Sequence, residues 1–260
     1  MIIATNPVLR DGPNDGVLVL RLNRPDKRNA LSTSLLTLLA DMLDAAAVDY
    51  DVRCVVFTGS DSVFAAGADI GEMEDRAVGG ALGDVRPGLW SRVRGFPKPV
   101  VAAVEGWCLG AGNELLMCAD LVVAGRGARF GQPETNLGIM PGAGGTAVLP
   151  RLIGREAAMR MVLLGDPITA DIALALGLIG EVVDDGQALT AALATASRIA
   201  ARAPLAMRQA KAMILAAEDL PVTGHLATER HAFATLFGTK DKDEGVAAFL
   251  EKRAPTWQGQ

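Results

Sequence analysis

Four short runs, apolar at nearly every position, constrain this chain most: Val17-Leu-Val-Leu-Arg-Leu22, Cys54-Val-Val-Phe-Thr58, Val100-Val-Ala-Ala-Val104 and Leu121-Val-Val-Ala124. A strand with one wet face alternates apolar and polar residues, so runs without alternation belong in a sheet covered on both faces. After the first run comes the turn-like Asn23-Arg-Pro-Asp-Lys-Arg-Asn29, where Pro25 bars helix propagation. An amphipathic helix is predicted over residues 32–47, with Ser32 as N-cap and Leu35, Leu36, Leu39 and Leu43 at helical spacing. Glu105-Gly-Trp-Cys-Leu109 reads as a turn, followed by a helix over 110–119. This cadence of strand, loop, helix and strand predicts an α/β fold. Beyond about residue 146 the pattern becomes helical, with helices predicted over 145–153, 155–164, 170–176, 189–203, 205–218, 222–237 and 243–252. Residues 71–95 are the least regular, with Gly79-Gly80, Gly83, Pro87 and Gly88. They suit a loop-and-helix element near a ligand or a long surface connection.

Composition removes several function classes. At 260 residues, half hydrophobic and 21% charged, the chain is long enough for one large domain or a domain with an appendage. A net charge of -5 gives no basic surface for a phosphate backbone, so nucleic acid is not an expected partner. No stretch approaches the ~18 uninterrupted apolar residues of a membrane span, and the start Met1-Ile-Ile-Ala-Thr-Asn-Pro7 lacks the basic and apolar regions of a leader. A cytoplasmic location without membrane association is the expectation. Cys54, Cys108 and Cys118 are odd in number and form no C-x-x-C pair, so neither a disulfide framework nor a zinc site is suggested. The only histidines, His225 and His231, are six apart and unsuited to a helical metal pair; both are expected to be structural, and no metal site is expected.

Chemistry is left to carboxylates and backbone. Glu114 lies in Gly110-Ala-Gly-Asn-Glu114 and Glu134 in Phe130-Gly-Gln-Pro-Glu134, and two further glycine-rich segments are Phe64-Ala-Ala-Gly-Ala-Asp69 and Pro141-Gly-Ala-Gly-Gly-Thr146. Small residues let a ligand approach the backbone, and a helix starting near Gly110 leaves amide N–H groups unpaired. Such amides can stabilise negative charge developing on a carbonyl oxygen, with Ala66 and Ala111 as the expected donors. Gly110-Ala-Gly-Asn-Glu-Leu lacks the third glycine of a dinucleotide-binding turn, and no phosphate-binding G-x-x-x-x-G-K-[ST] occurs.

At these residues the chain resembles the enoyl-CoA hydratase/isomerase, or crotonase, superfamily. The resemblance runs through Leu22-Asn-Arg-Pro-Asp-Lys-Arg-Asn-Ala-Leu31, Phe64-Ala-Ala-Gly-Ala-Asp-Ile-Gly-Glu-Met73, Lys98-Pro-Val-Val-Ala-Ala-Val104, Phe130-Gly-Gln-Pro-Glu134, Leu137-Gly-Ile-Met-Pro-Gly-Ala-Gly-Gly-Thr146 and Glu244-Gly-Val-Ala-Ala-Phe-Leu-Glu-Lys-Arg253. It implies a crotonase-like spiral of ββα turns over residues 1–200 and a C-terminal helical region, 201–260, that builds a homotrimer or homohexamer. It implies Ala66 and Ala111 amides on the thioester oxygen, Ala111 standing where the best-known hydratases have glycine. It places Arg24, Lys27, Arg28, Gly67, Ala68, Asp69, Ile70, Pro133, Gly142 and Lys252 with Ala66 and Ala111 along an acyl-CoA thioester, and no cofactor is implied because coenzyme A is part of the substrate.

Water adds at Cβ of an α,β-unsaturated thioester only if charge on the thioester oxygen is stabilised while one group activates water and another protonates Cα. By motif, Glu134 is the expected acid toward Cα and Glu114 the expected holder of water. Isomerases of the superfamily commonly keep one of these acids, so the pair points to a hydro-lyase giving 3-hydroxyacyl-CoA; a Δ3,Δ2-enoyl-CoA isomerase and a non-catalytic acyl-CoA scaffold are the alternatives. Asp84-Val-Arg-Pro-Gly-Leu-Trp90, ahead of Phe96-Pro-Lys-Pro99, resembles the 2,3-dehydroadipyl-CoA hydratases of bacterial phenylacetate breakdown. If the acyl chain ends in a carboxylate, Arg86 is the expected cation at its far end.

Overall fold

The computed structural model describes residues 6–73 and 77–260; the chain start discussed above and the middle of the irregular segment, residues 1–5 and 74–76, lie outside the described residues. Ten strands occur among them: β1 (Val8–Asn14), β2 (Val17–Leu22), β3 (Cys54–Thr58), β4 (Val63–Ala65), β5 (Val100–Val104), β6 (Trp107–Leu109), β7 (Leu121–Gly125), β8 (Arg129–Gly131), β9 (Ile168–Thr169) and β10 (Glu181–Val183). The helices are α1 (Thr33–Val48), α2 (Val78–Leu82), α3 (Arg86–Arg94), α4 (Ala111–Leu116), α5 (Leu149–Ile153), α6 (Arg155–Leu164), α7 (Ala170–Leu176), α8 (Ala188–Ala200), α9 (Pro204–Ala216), α10 (Val222–Leu236) and α11 (Lys240–Glu251).

Six strands form one sheet in the order β1-β2-β3-β5-β7-β10, and four form a second in the order β4-β6-β8-β9. Among the described residues only β1–β2 and β8–β9 pair antiparallel. The chain therefore visits the sheets in alternation, β3 then β4, β5 then β6, β7 then β8, and each circuit adds one parallel strand to each sheet. This is the expected spiral of ββα turns. At the corner between β5 and β6 the chain turns on Gly106 at φ 61°, where a Cβ would overlap the Ser62 carbonyl. Only glycine fits a left-handed corner with backbone pressed against it.

The four apolar runs are central strands of the large sheet, and both of its faces are covered. Leu18, Leu20, Val55, Phe57, Val100 and Ala102 face one core with Leu35, Leu36, Leu39 and Leu43 of α1. Val17, Val19, Cys54, Val56, Val101 and Ala103 face the other with Ala188, Ala192, Ala196 and Ala200 of α8. Alanines four apart make a smooth stripe that lets α8 lie close to the sheet. The predicted cap of α1 is present, with Ser32 Oγ accepting from Leu35 N.

Short elements depart from the sequence expectation. Residues 107–109 are strand β6 rather than part of a turn, paired with β4 and β8 on either side; three residues are too few to display a period. α4 ends at Leu116, and α5 starts only at Leu149 because Gly142, Gly144 and Gly145 belong to a loop. The irregular segment contains α2 and α3, and α3 buries Leu89, Trp90 and Val93 despite its Pro87 near the start, a position that tolerates proline. α8 ends on the sheet at Ala200, and the following α9 contains no buried residue. No helix among the described residues is long and apolar enough to cross a membrane.

Candidate active site

Three neighbouring parallel strands of the small sheet, β4, β6 and β8, end at one edge, and the segments leaving them converge there. The segment after β4 carries Ala66 to Ile70, β6 leads through Gly110 into α4 and Glu114, and β8 leads through Gln132 and Pro133 to Glu134. A carboxyl-end edge of this kind is where parallel sheets place ligands. The approach is close: a Cβ built on Gly110 would lie 3.1 Å from Glu134 Oε1 and 3.6 Å from Gly67 Cα. Gly110 itself adopts φ 51° and ψ -125°, turning the chain sharply from strand to helix.

A cavity of about 520 Å³ lies over this edge, and α3 and the loop 137–143 close its sides. Of the residues expected at the site, Ala66, Gly67, Ala68, Ile70, Ala111, Glu114, Pro133, Glu134 and Gly142 line it. Arg86 lines it too, beside Asp84 and Trp90. Arg24, Lys27, Arg28, Asp69 and Lys252 are not part of the lining. Arg24 and Asp69 pair with each other at 2.7 Å, and the guanidinium holds the Asp69 carboxyl below its ordinary value. Lys27 and Arg28 are exposed, and Lys252 ends α11 in a left-handed conformation.

The backbone corrects one expectation. The Ala66 amide is already bonded to the Arg28 carbonyl at 3.0 Å, so it has no N–H to offer a ligand. Leu31 N donates to Gly67 O at 2.8 Å and Asp69 N to Leu31 O at 3.1 Å. The C=O and N–H of a trans peptide point opposite ways, so the N–H of Ala68, whose peptide partner is the Gly67 carbonyl bonded to Leu31, faces away from Leu31. Among the described residues neither Ala68 N nor Ala111 N has a protein partner. The second is the orphan donor expected at the first position of a helix.

Glu114 is 2% exposed, and its Oε1 accepts from Ala143 N at 2.7 Å and Gly145 N at 2.8 Å. Its Oε2 has no hydrogen bond to protein among the described residues. Burial raises its pKa, opposed by the Gly145 and Ala143 amides and by Arg94. Arg94 also donates to the Ala143 carbonyl at 2.6 Å, holding the loop that supplies those amides. Glu134 has a buried Oε2 with no hydrogen-bond partner, and burial, with the Glu114 charge adding to it, raises its pKa to about 7. A carboxyl group there holds its proton near neutrality, while its neighbour is given amide donors that favour the anion.

Sequence reasoning missed the loop amides of Ala143 and Gly145, Arg94 and the fully buried Gln132. Gln132, Ala143 and Gly145 each lay in a motif already singled out, but nothing in those motifs showed which of their atoms would serve the site. Among the described residues no cluster of three or more histidine, cysteine or acidic side chains could hold a metal. His225 is buried on α10 and the His231 ring contacts the Ala227 carbonyl at 2.7 Å, both away from the lining of the cavity.

Unpaired amides and two differently tuned carboxylates at the edge of a ββα spiral define a site built to manage charge on a carbonyl and move protons beside it. The family model described as enoyl-CoA hydratase/isomerase matches residues 12–260. The chain is 47% identical over 244 residues to the 2,3-dehydroadipyl-CoA hydratase of Escherichia coli (strain K12), covering 94% of this chain and 96% of that protein. It is 40% identical over 241 residues to the crotonyl-CoA hydratase of Syntrophomonas wolfei, covering 90% and 92%. The crystal structure of an enoyl-CoA hydratase from Bacillus anthracis superimposes with a TM-score of 0.93 at 35% identity, covering 98% of this chain and 100% of that one. The chain belongs to the enoyl-CoA hydratase/isomerase family.

The raised pKa of Glu134 carries a stability consequence. Between its ordinary value of 4.5 and about 7 the native state keeps a proton that the unfolded chain releases. Stability from this group is therefore complete below 4.5 and is lost as pH rises through about 7. Glu134→Gln, neutral at every pH, should flatten this part of the profile in urea denaturation between pH 5 and 8. Equal slopes in the two proteins would contradict the burial of a protonated acid.

Proposed function

We propose that the site hydrates a 2-enoyl-CoA thioester to the 3-hydroxyacyl-CoA, with the N–H groups of Ala68 and Ala111 on the thioester oxygen, Glu114 on the water and Glu134 as the acid toward Cα. The observation that carries this reading is the unequal environment of the two carboxyls, one clamped by amides and one buried with an unpartnered oxygen. As water adds at Cβ, electron density moves toward the thioester oxygen, where two preorganised dipoles stabilise it. Glu114, with Oε1 fixed, can accept a hydrogen bond from water at Oε2 and take its proton. Glu134 delivers a proton to Cα, and the Glu114 charge adds to the burial that keeps this acid protonated. Hydration needs no cofactor; coenzyme A arrives with the substrate.

Segments outside the cavity take supporting roles in this reading. The Arg24–Asp69 pair ties the 24–30 turn to the segment after β4 that presents Ala68, and the exposed Lys27, Arg28 and Lys252 are our candidates for the CoA phosphates. A cytoplasmic location belongs to the same proposal, in keeping with three buried cysteines left as free thiols.

We assign residues 201–260 to assembly into a trimer or hexamer. Ile214 and Leu215 on α9, Leu226 and Phe233 on α10, and Phe249 and Leu250 on α11 are all exposed in the single chain, apolar side chains of the kind that subunit contacts cover. Sedimentation equilibrium should give a multiple of the 27.0 kDa chain mass, three or six chains; a monomer would contradict the assignment.

Replacing Glu114 or Glu134 by Gln should lower hydration of crotonyl-CoA by roughly 10²- to 10⁴-fold, read as slower loss of the conjugated thioester absorbance, while binding of the CoA ester is kept. Near-normal turnover in either variant would remove that glutamate's role. For the acyl end, Arg86 is our candidate to bind a distal carboxylate. Its side chain is 14% exposed, its Nε donates to Asp84 at 2.6 Å, and its terminal nitrogens have no protein partner among the described residues. The related protein named for 2,3-dehydroadipyl-CoA supports this choice. Arg86→Ala should impair dehydroadipyl-CoA hydration far more than crotonyl-CoA hydration; equal losses would refute the assignment.

A further inference from the structure

Gln132 lies directly behind the site with no exposed surface. A buried carboxamide is costly unless its donors are used, and here they point at backbone carbonyls. With the amide turned so that its nitrogen faces them, it donates to Gly131 O at 3.0 Å and Gly110 O at 2.9 Å; the opposite orientation would set its oxygen against both. The Gly110 carbonyl also accepts from Glu114 N at 2.9 Å. It is thus doubly bonded, and it belongs to the same peptide unit as the Ala111 N–H.

We propose that Gln132 is a positioning residue for the oxyanion site, its amide holding and polarising the Gly110–Ala111 peptide so that the Ala111 N–H faces the thioester oxygen. The inference rests on the hydratase reading given above. Two physical effects support it. Gly110, at φ 51° and ψ -125°, occupies a region open mainly to glycine, so its own side chain does nothing to fix the following peptide plane. Rotating that plane would carry the Ala111 N–H out of the cavity, and the Gln132 bond to the carbonyl on its other side resists the rotation. A carbonyl that accepts added hydrogen bonds also makes its own peptide N–H a stronger donor through cooperative polarisation.

Room for Gln132 is made by the neighbouring loop. A Cβ on Gly145 would overlap the Gln132 amide, and Gly145 N is one of the two donors to Glu114. One buried side chain therefore sits between the peptide that receives substrate charge and the loop that clamps the water-binding carboxylate.

Gln132→Met keeps length and apolar bulk while removing both donors, and it separates positioning from packing. The probe is cinnamoyl-CoA, whose absorption moves to longer wavelength when its carbonyl is polarised. The variant should show a reduced shift and about tenfold slower crotonyl-CoA turnover. KM and affinity for CoA itself should stay within about threefold. A full shift with turnover within about twofold of the unaltered protein would overturn the proposal. Should the Met variant fail to fold, Gln132→Glu carries the test. Its carboxyl can donate to Gly110 O only while protonated, so its shift should approach that of the unaltered protein at low pH and fall below it as pH rises. A shift equal to that of the unaltered protein at every pH would overturn the proposal. If the unaltered protein neither shifts the probe nor hydrates crotonyl-CoA, the hydratase reading itself fails and the inference falls with it.

Discussion

Two backbone amides from one loop hold a carboxylate on another element, and the site depends on that clamp. Glu114 is almost completely removed from water, a position in which an unpaired anion would surrender its charge. Ala143 N and Gly145 N restore part of the lost hydration to one oxygen and leave the other without a protein partner. The clamp requires the glycine-rich loop to lie flat against α4, and Arg94 fixes it there through the Ala143 carbonyl. Glu134 lacks any such donor at its buried oxygen, so burial carries its pKa up to about 7, whereas at Glu114 the two amides oppose the rise that burial causes.

The fold supplies what the clamp needs, a rigid edge with three exits. Parallel strands β4, β6 and β8 point the same way, so the chain leaves all three at one end. Their short length is sufficient because the large sheet bears the packing: its central strands are buried on both faces between α1 and the alanine stripe of α8. Glycines 67, 106 and 110 then permit corners that other residues would obstruct or strain. Charge-handling backbone is thus presented by elements whose position is set by cores on either side.

Much of this was legible in the sequence. Unbroken apolar runs announced a doubly covered sheet, the Ser32 cap and leucine spacing announced α1, and Glu114 and Glu134 stood in glycine-rich surroundings that marked them as unusual. What escaped is local. β6 is three residues long and carries no period, and α3 was hidden by Pro87 and the glycines before it. The choice between the Ala66 and Ala68 amides rests on a hydrogen-bond register between residues 28–31 and 66–69, which no composition or spacing reveals. Arg94 and the Ala143 and Gly145 amides act through contacts distant along the chain, so their residue types alone could not disclose them.

The central claim is that one member of the carboxylate pair must be protonated and the other must not. The pH dependence of kcat/KM for crotonyl-CoA hydration tests it most directly, since it reports the free enzyme's dyad before substrate binds. With the Glu134 pKa raised to about 7, activity should fall as pH rises through that value and the acid is lost. A profile that stays level from pH 6 to 9 would contradict the assignment of Glu134 as the proton donor.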